Sequence, residues 1–233
     1  MIWFGPTRAV IAGESSKELW PEVDLWLRLT PAWRLSMFVA ISKNLDTYYR
    51  EGNLILQGDY AFRKMNPRHN TRLLDENRAQ QMKRLLIRGG YLGGKSLGDS
   101  GEVYTEYGML AELHVRTPIK GDILVSHRLR ADMRWLGDGH ELSNRLRYRL
   151  MVEKEYMAGR WSIVPYASGE LYYDTRYSIV NRTRWIGGAS VAWSPRFALE
   201  GNWTYQHDTR SSVTNLNALN VILHVFFETR RAK

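Results

Sequence analysis

Between Trp20 and Phe227 the side chains alternate apolar and polar with a period of two, segment after segment, and this restricts the chain to sheet structure. In residues 20–30, Val23, Leu25, Leu27 and Leu29 share one face, while Glu22, Asp24, Trp26 and Arg28 share the other. A turn at Thr30, Pro31 and Ala32 follows. Residues 33–42 then resume with Leu35, Met37, Val39 and Ile41 against Arg34, Ser36, Phe38 and Ala40. The same test marks strands near 53–63, 82–92, 102–117, 122–135, 141–156, 161–174, 181–193, 196–206 and 216–227, which makes eleven. A helical period is found only around 71–84.

Many of these segments run 11 to 16 residues, against about five or six in ordinary sheets. A tilted strand crossing a bilayer needs roughly 9 to 11 residues in the hydrocarbon. Connections alternate in length: short at Pro31, 118–121, 158–159 and 194–195, longer and polar at 43–52, 93–101, 175–180 and 207–215. The 137–140 connection is short for the long-loop rim. This plan predicts an all-β chain, a closed antiparallel up-and-down transmembrane β-barrel of about 12 strands, with 10 or 14 as alternatives. Even numbers are the rule for bacterial single-chain barrels, so a twelfth strand is expected either in the first dozen residues or in 64–81. With no repeat or linker in 233 residues, 18–228 reads as one barrel domain. Residues 1–17 read as a signal remnant or first strand, and 229–233 as a polar tail.

The mean hydropathy of -0.42 suggests a soluble protein, but alternation between a lipid face and a polar lumen gives the same average. No helical span is present: the longest window free of Asp, Glu, Lys and Arg, Ser211 to Phe227, carries three Asn and a His and lacks the ~18 consecutive apolar residues a spanning helix needs. The net charge of +9 points at first to nucleic acid, yet only eight of the 33 basic residues are Lys. Arg is favoured where a planar fork pairs with carboxylates in partly buried settings. The polar face carries Glu106, Glu112, Arg128, Arg130, Arg134, Arg145, Arg147, Arg149, Glu153, Glu170, Arg182, Arg184 and Glu200. Acid-rich strands largely flank Arg-rich ones, so these residues are expected to line a charged lumen, with no nucleic-acid partner.

Sites of chemistry are few. His140, Glu141 and Ser143 put a base, an acid and a hydroxyl near one rim, but a three-residue offset sends His140 and Ser143 to opposite faces of a strand. His114 and His127 fall on opposite faces of consecutive strands and no zinc spacing is present. Gly89-Gly90 and Gly93-Gly94 lie at a strand end and loop with no helix after them, which argues against a phosphate-cradling loop. No catalytic residue, metal site or cofactor is expected. A chain without Cys excludes a disulfide scaffold and thiol chemistry.

The strings ELWPEVD at 18–24, SHRLRADMR at 126–134, SNRLRYR at 143–149, PYASGELYYD at 165–174, NRTRWIGG at 181–188 and SPRFALE at 194–200 resemble an uncharacterised family of bacterial proteins. That family is known only as a domain of unknown function and is regarded as outer-membrane β-barrels. The resemblance covers most of 18–228 and implies a fold and a location, the Gram-negative outer membrane, but no reaction. It also implies partners: outer-membrane lipid and the barrel-assembly machinery. Phe227 is the candidate for the terminal aromatic read during assembly, although Glu228 to Lys233 follow it; residues 1–13 lack a proper secretory signal. The function expected first is a narrow, porin-like pore or passive channel for a small solute or ion. Alternatives are a non-conducting structural or interaction barrel with a salt-bridged lumen, and a lipid-modifying enzyme.

Overall fold

The computed structural model describes residues 14–47, 49–64, 83–97, 105–137, 141–211 and 213–229. They form strands β1 (Glu14–Arg28), β2 (Trp33–Asn44), β3 (Arg50–Lys64), β4 (Lys83–Ser96), β5 (Thr105–Ile119), β6 (Ile123–Leu136), β7 (Glu141–Lys154), β8 (Tyr156–Ala158), β9 (Trp161–Asp174), β10 (Ile179–Ala192), β11 (Phe197–Asp208) and β12 (Val213–Glu228). β8 continues β7 along the same neighbour: both pair with β9, in one direction. The barrel therefore closes with eleven long strands plus this short extra one. The described residues contain no helix long and apolar enough to cross a membrane, a criterion that does not apply to strands.

All pairings between sequential strands are antiparallel, but β1 pairs with β12 in parallel, Leu19 opposite Leu219 and Val23 opposite Leu223. Here the structure departs from the all-antiparallel expectation. An odd number of up-and-down strands leaves the first and last pointing the same way, so only a parallel seam can close the sheet. The expected positions of a twelfth long strand, 1–12 and 64–81, lie outside the described residues except for Lys64, the end of β3.

The strand ends at 44 and 50, 96 and 105, 136 and 141, 174 and 179, and 208 and 213 lie at one end, rim A. The strand ends at 28 and 33, 64 and 83, 119 and 123, 158 and 161, and 192 and 197 lie at the other, rim B. The long loops expected at rim A are shorter because strand pairing continues into their polar residues, as in Glu51 opposite Ser96 and Arg182 opposite Asp208. Reversal at rim B is tight: Gly121 and Asp122 have φ of 86° and 58°, and Gly159 has 61°, left-handed backbone that glycine adopts freely.

The two faces are inverted relative to a soluble domain. Large apolar side chains point outward on every long strand, among them Met109 at 58%, Leu129 at 54% and Trp185 at 61% exposure. Arg, Asp, Glu, Ser and Asn point inward and are buried. Outward aromatics pack in pairs near both rims: Tyr107 with Trp135 and Trp203 with Tyr205 towards rim A, Trp33 with Tyr60 and Trp193 with Phe197 towards rim B.

Candidate functional site

Register turns the charge alternation of single strands into a belt around the lumen. Arg34, Asp59, Arg88, Glu112, Arg130, Arg147, Tyr172, Arg182 and Asp208 are successive cross-strand partners from β2 to β11. Opposite charges placed directly across a ladder attract, and here the attraction is realised as contact. Arg34 Nη2 lies 2.5 Å from Asp59 Oδ2, and Arg88 bridges Asp59 at 3.0 Å and Glu112 at 3.2 Å. Glu112 also meets Arg130 at 3.2 Å, Arg128 at 3.8 Å and His114 Nε2 at 2.7 Å.

Arg130 and Arg147 face each other as like charges, and carboxylates one step away offset their repulsion. Asp132 receives Arg130 at 2.5 Å, Arg145 at 3.3 Å and Arg147 at 3.5 Å. Glu170 receives Arg128 at 2.6 Å, Arg147 at 3.3 Å and Arg149 at 3.6 Å, and accepts the Tyr172 hydroxyl at 2.8 Å. Arg145, Arg147, Arg182 and Arg184 stand 4.6 to 5.6 Å from the Tyr172 ring centroid, within cation–π range. Nearer rim A, Arg134 reaches Glu106 at 3.4 Å and Asp174 at 3.7 Å, and Arg182 pairs with Asp208 at 2.7 Å. Arg184 donates to Gln206 Oε1 at 2.6 Å.

A second cluster closes the circle across the seam. His224 lies 3.1 Å from Asp24 and 3.0 Å from Glu200, which also accepts from the Tyr166 hydroxyl and, at 3.0 Å, from Asn202. The interior thus has a basic wall, on β6, β7 and β10, facing an acidic one around Glu22, Asp24 and Glu200. Between them is a cavity of about 520 Å³. It reaches rim A at half-buried Trp20, Ser42, Glu51, Asn53 and Glu106.

Towards rim B the lumen is filled. Trp26, Phe226, Ala192 and Ala198 form a buried apolar cluster with Phe38 packed on it. Leu86, Leu124 and Val164 are 0–1% exposed, and Arg34, Asp59, Arg116, Glu153 and Ser162 are buried alongside. Arg34 lies 4.4 Å over the Trp26 ring, which joins the apolar plug to the ion-paired belt.

Every lumen residue read from the sequence points inward. Glu106, Glu112, Arg128, Arg130, Arg145, Arg147, Arg149, Arg182, Arg184 and Glu200 border the cavity, while Arg134 and Glu170 lie behind it in the network and Glu153 lies in the rim B filling. Phe227 points outward at rim B, 49% exposed. Ser143 is sealed, 0% exposed, and accepts from Arg134 Nη2 at 2.9 Å; His140 lies outside the described residues. His114 faces in, and His127 faces out against the Tyr148 hydroxyl at 2.8 Å. Among the described residues no group of three His, Cys, Asp or Glu is placed to hold a metal.

Sequence reasoning left Asp59, Arg88, Tyr172 and His224 out of the lumen set. Parity marks all four as inward, but the other charges of β3 and β4 sit at the strand ends and leave Asp59 and Arg88 isolated, and Tyr172 sits between two other residues with large apolar bodies, Leu171 and Tyr173. A family model described as "Protein of unknown function (DUF2490)" matches residues 18–217. No curated protein and no solved structure matches the chain.

Proposed function

The chain belongs to this DUF2490 family, and from that premise we propose that it is an outer-membrane barrel that does not conduct, with a charged chamber open towards rim A and closed at rim B. The apolar outer wall supports the membrane reading: on a soluble monomer contiguous apolar patches rarely exceed a few hundred Å², and here such residues ring the barrel. Strand length agrees. Fourteen residues, as in β6 or β9, rise about 46 Å and, tilted by about 45°, span about 33 Å, close to the thickness of a bilayer's hydrocarbon.

The observation that carries the non-conducting reading is the filling at rim B, where side chains from strands around the barrel are buried from solvent. Arginine and carboxylate neutralise one another above it, so the belt acts as internal scaffolding. The chamber and the rim A loops are left to meet a small solute or a partner. The pore reading draws its support from the size and polarity of the cavity alone. A lipid-hydrolase reading has the sealed hydroxyl of Ser143 against it.

Planar-bilayer recording with refolded protein tests this, alongside membrane fractionation and a heat-modifiable gel shift. A folded, membrane-fractionating barrel without single-channel steps is expected. Steady unit conductance from that same folded species would replace the closed chamber with a pore, and a detergent-independent soluble protein would remove the membrane reading.

A further inference from the structure

Resting on the outer-membrane reading, we propose that the outer wall of β1–β4 below rim A is a docking site for an anionic lipid, taking its phosphate head on Lys17, Lys43, Arg50 and Lys95. All four side chains are exposed and lie at outward positions of adjacent strands. Lys43 and Arg50 are direct cross-strand partners. Lys17 lies beside the end of β2, its carbonyl accepting the Leu45 N–H at 2.8 Å. Lys95 faces Gly52, which in turn faces Ile41. One patch therefore holds four cations, two of them directly opposed.

Like charges opposed across a ladder destabilise it, and the lumen shows how this chain treats that problem: each opposed pair of arginines has carboxylates beside it. Among the described residues the outer patch has no such remedy. None of the four cations forms an ion pair with a described carboxylate, and Asp46 accepts only the backbone N–H of Lys17, at 3.4 Å. An external anion would relieve the repulsion.

The shape favours an amphiphile over a free ion. Leu19, Pro21, Ile41 and Leu97 join Lys43 and Arg50 around a surface groove of about 420 Å³. Leu97 packs over Gly52, where an added Cβ would meet Leu97 Cδ1 at 3.1 Å. Apolar walls run down the barrel side and cations sit at the rim, matching the polarity of a lipid whose chains lie against the wall and whose phosphate lies at the interface. Around the rest of this rim, outward Tyr107, Trp135, Tyr173 and Tyr205 form a neutral aromatic girdle. Among the described residues, Lys and Arg occupy outward strand positions near this rim in that one sector.

Native mass spectrometry of the refolded full chain in neutral detergent, titrated with phosphatidylglycerol, lipid A, phosphatidylcholine or inorganic phosphate, tests the site. Either anionic lipid is expected to be retained well above phosphatidylcholine, with no competition from inorganic phosphate. The double variant Lys43→Gln, Arg50→Gln should weaken anionic-lipid retention roughly 10- to 30-fold. The rim B control Arg160→Gln, Arg196→Gln should leave it unchanged. Each variant is accepted only if it keeps the heat-modifiable gel shift of the folded barrel; if the double variant fails this, Lys17→Gln, Lys95→Gln takes its place. Equal retention of charged and neutral lipids by a folded barrel, displacement by phosphate, or an unaltered variant would overturn the site while leaving the membrane reading intact. A soluble chain that retains no lipid would overturn both.

Discussion

A buried guanidinium is tolerable only while its charge is answered, and in this lumen single carboxylates answer several at once. Glu112 and Asp132 each hold three or more cationic neighbours within 4 Å. Removing such an acid leaves uncompensated charge in a confined site, whereas removing a whole pair does not. We therefore expect Glu112→Gln to lower the unfolding free energy of the refolded barrel by about 3–5 kcal/mol. Replacing Arg182 and Asp208 together by Met and Leu should change it by only about 1 kcal/mol. Urea titrations followed by Trp fluorescence read both; equal losses in the two variants would refute this account. The inward direction of Glu112 was legible from parity alone. Its partners were not, because Arg88 comes from a glycine-rich strand with little charge pattern, and cross-strand register depends on where each turn closes.

At the level of strands, each of the eleven segments found by alternation falls on one of the eleven long strands, since a period-two pattern fixes the face, while the strand ends run on into polar residues that alternation did not mark. What alternation cannot encode is how the sheet closes, because pairing between the first and last strands leaves no local mark on either. The parallel seam has a direct test in a chain free of native Cys. Val23 and Leu223 are outward seam partners, so Val23→Cys with Leu223→Cys should cross-link on mild oxidation and give a faster-migrating loop product on a non-reducing gel. Val23→Cys with Leu219→Cys, four positions out of register, should not. Close approach between strands was equally hidden. Gly108 faces inward on β5, and a Cβ there would lie 2.3 Å from the Met133 carbonyl oxygen and 3.1 Å from Arg134 Cα. That close approach leaves no room for a side chain between β5 and β6. Gly108→Ala should cost about 1–3 kcal/mol in the same urea titration, whereas Gly201→Ala, with nothing within 4 Å of the added carbon, should fall well short of that.

Over the whole molecule, the balance between lumen and exterior decides whether a charged barrel conducts. A net charge of +9 with 33 basic residues looked like a statement about an external polyanion or an anion path. Inside the barrel, however, arginines and carboxylates pair around the circumference, so the lumen presents opposed walls and little net field along its axis. On the closed-chamber reading the path ends in the cluster of Trp26, Phe226, Ala192 and Ala198, of which alternation marked Trp26 as an apolar residue on the face of Glu22, Asp24 and Arg28. Trp26 and Phe226 lie on either side of the seam, their rings stacked at a centroid distance of 6.5 Å, so both lean on the one pairing that closes the sheet. If they form the stopper, Trp26→Gly with Phe226→Gly should convert a silent barrel into one with measurable unit conductance in planar bilayers. Glycine at outward positions of the same seam, Val23 and Leu223, should leave it silent. Conductance in the unaltered chain would remove the barrier altogether, whereas silence in a folded Trp26→Gly, Phe226→Gly variant would move it to the ion-paired belt itself. In that case Arg34→Ala with Asp59→Ala, which removes the layer directly against Trp26, becomes the pair whose loss should open the path.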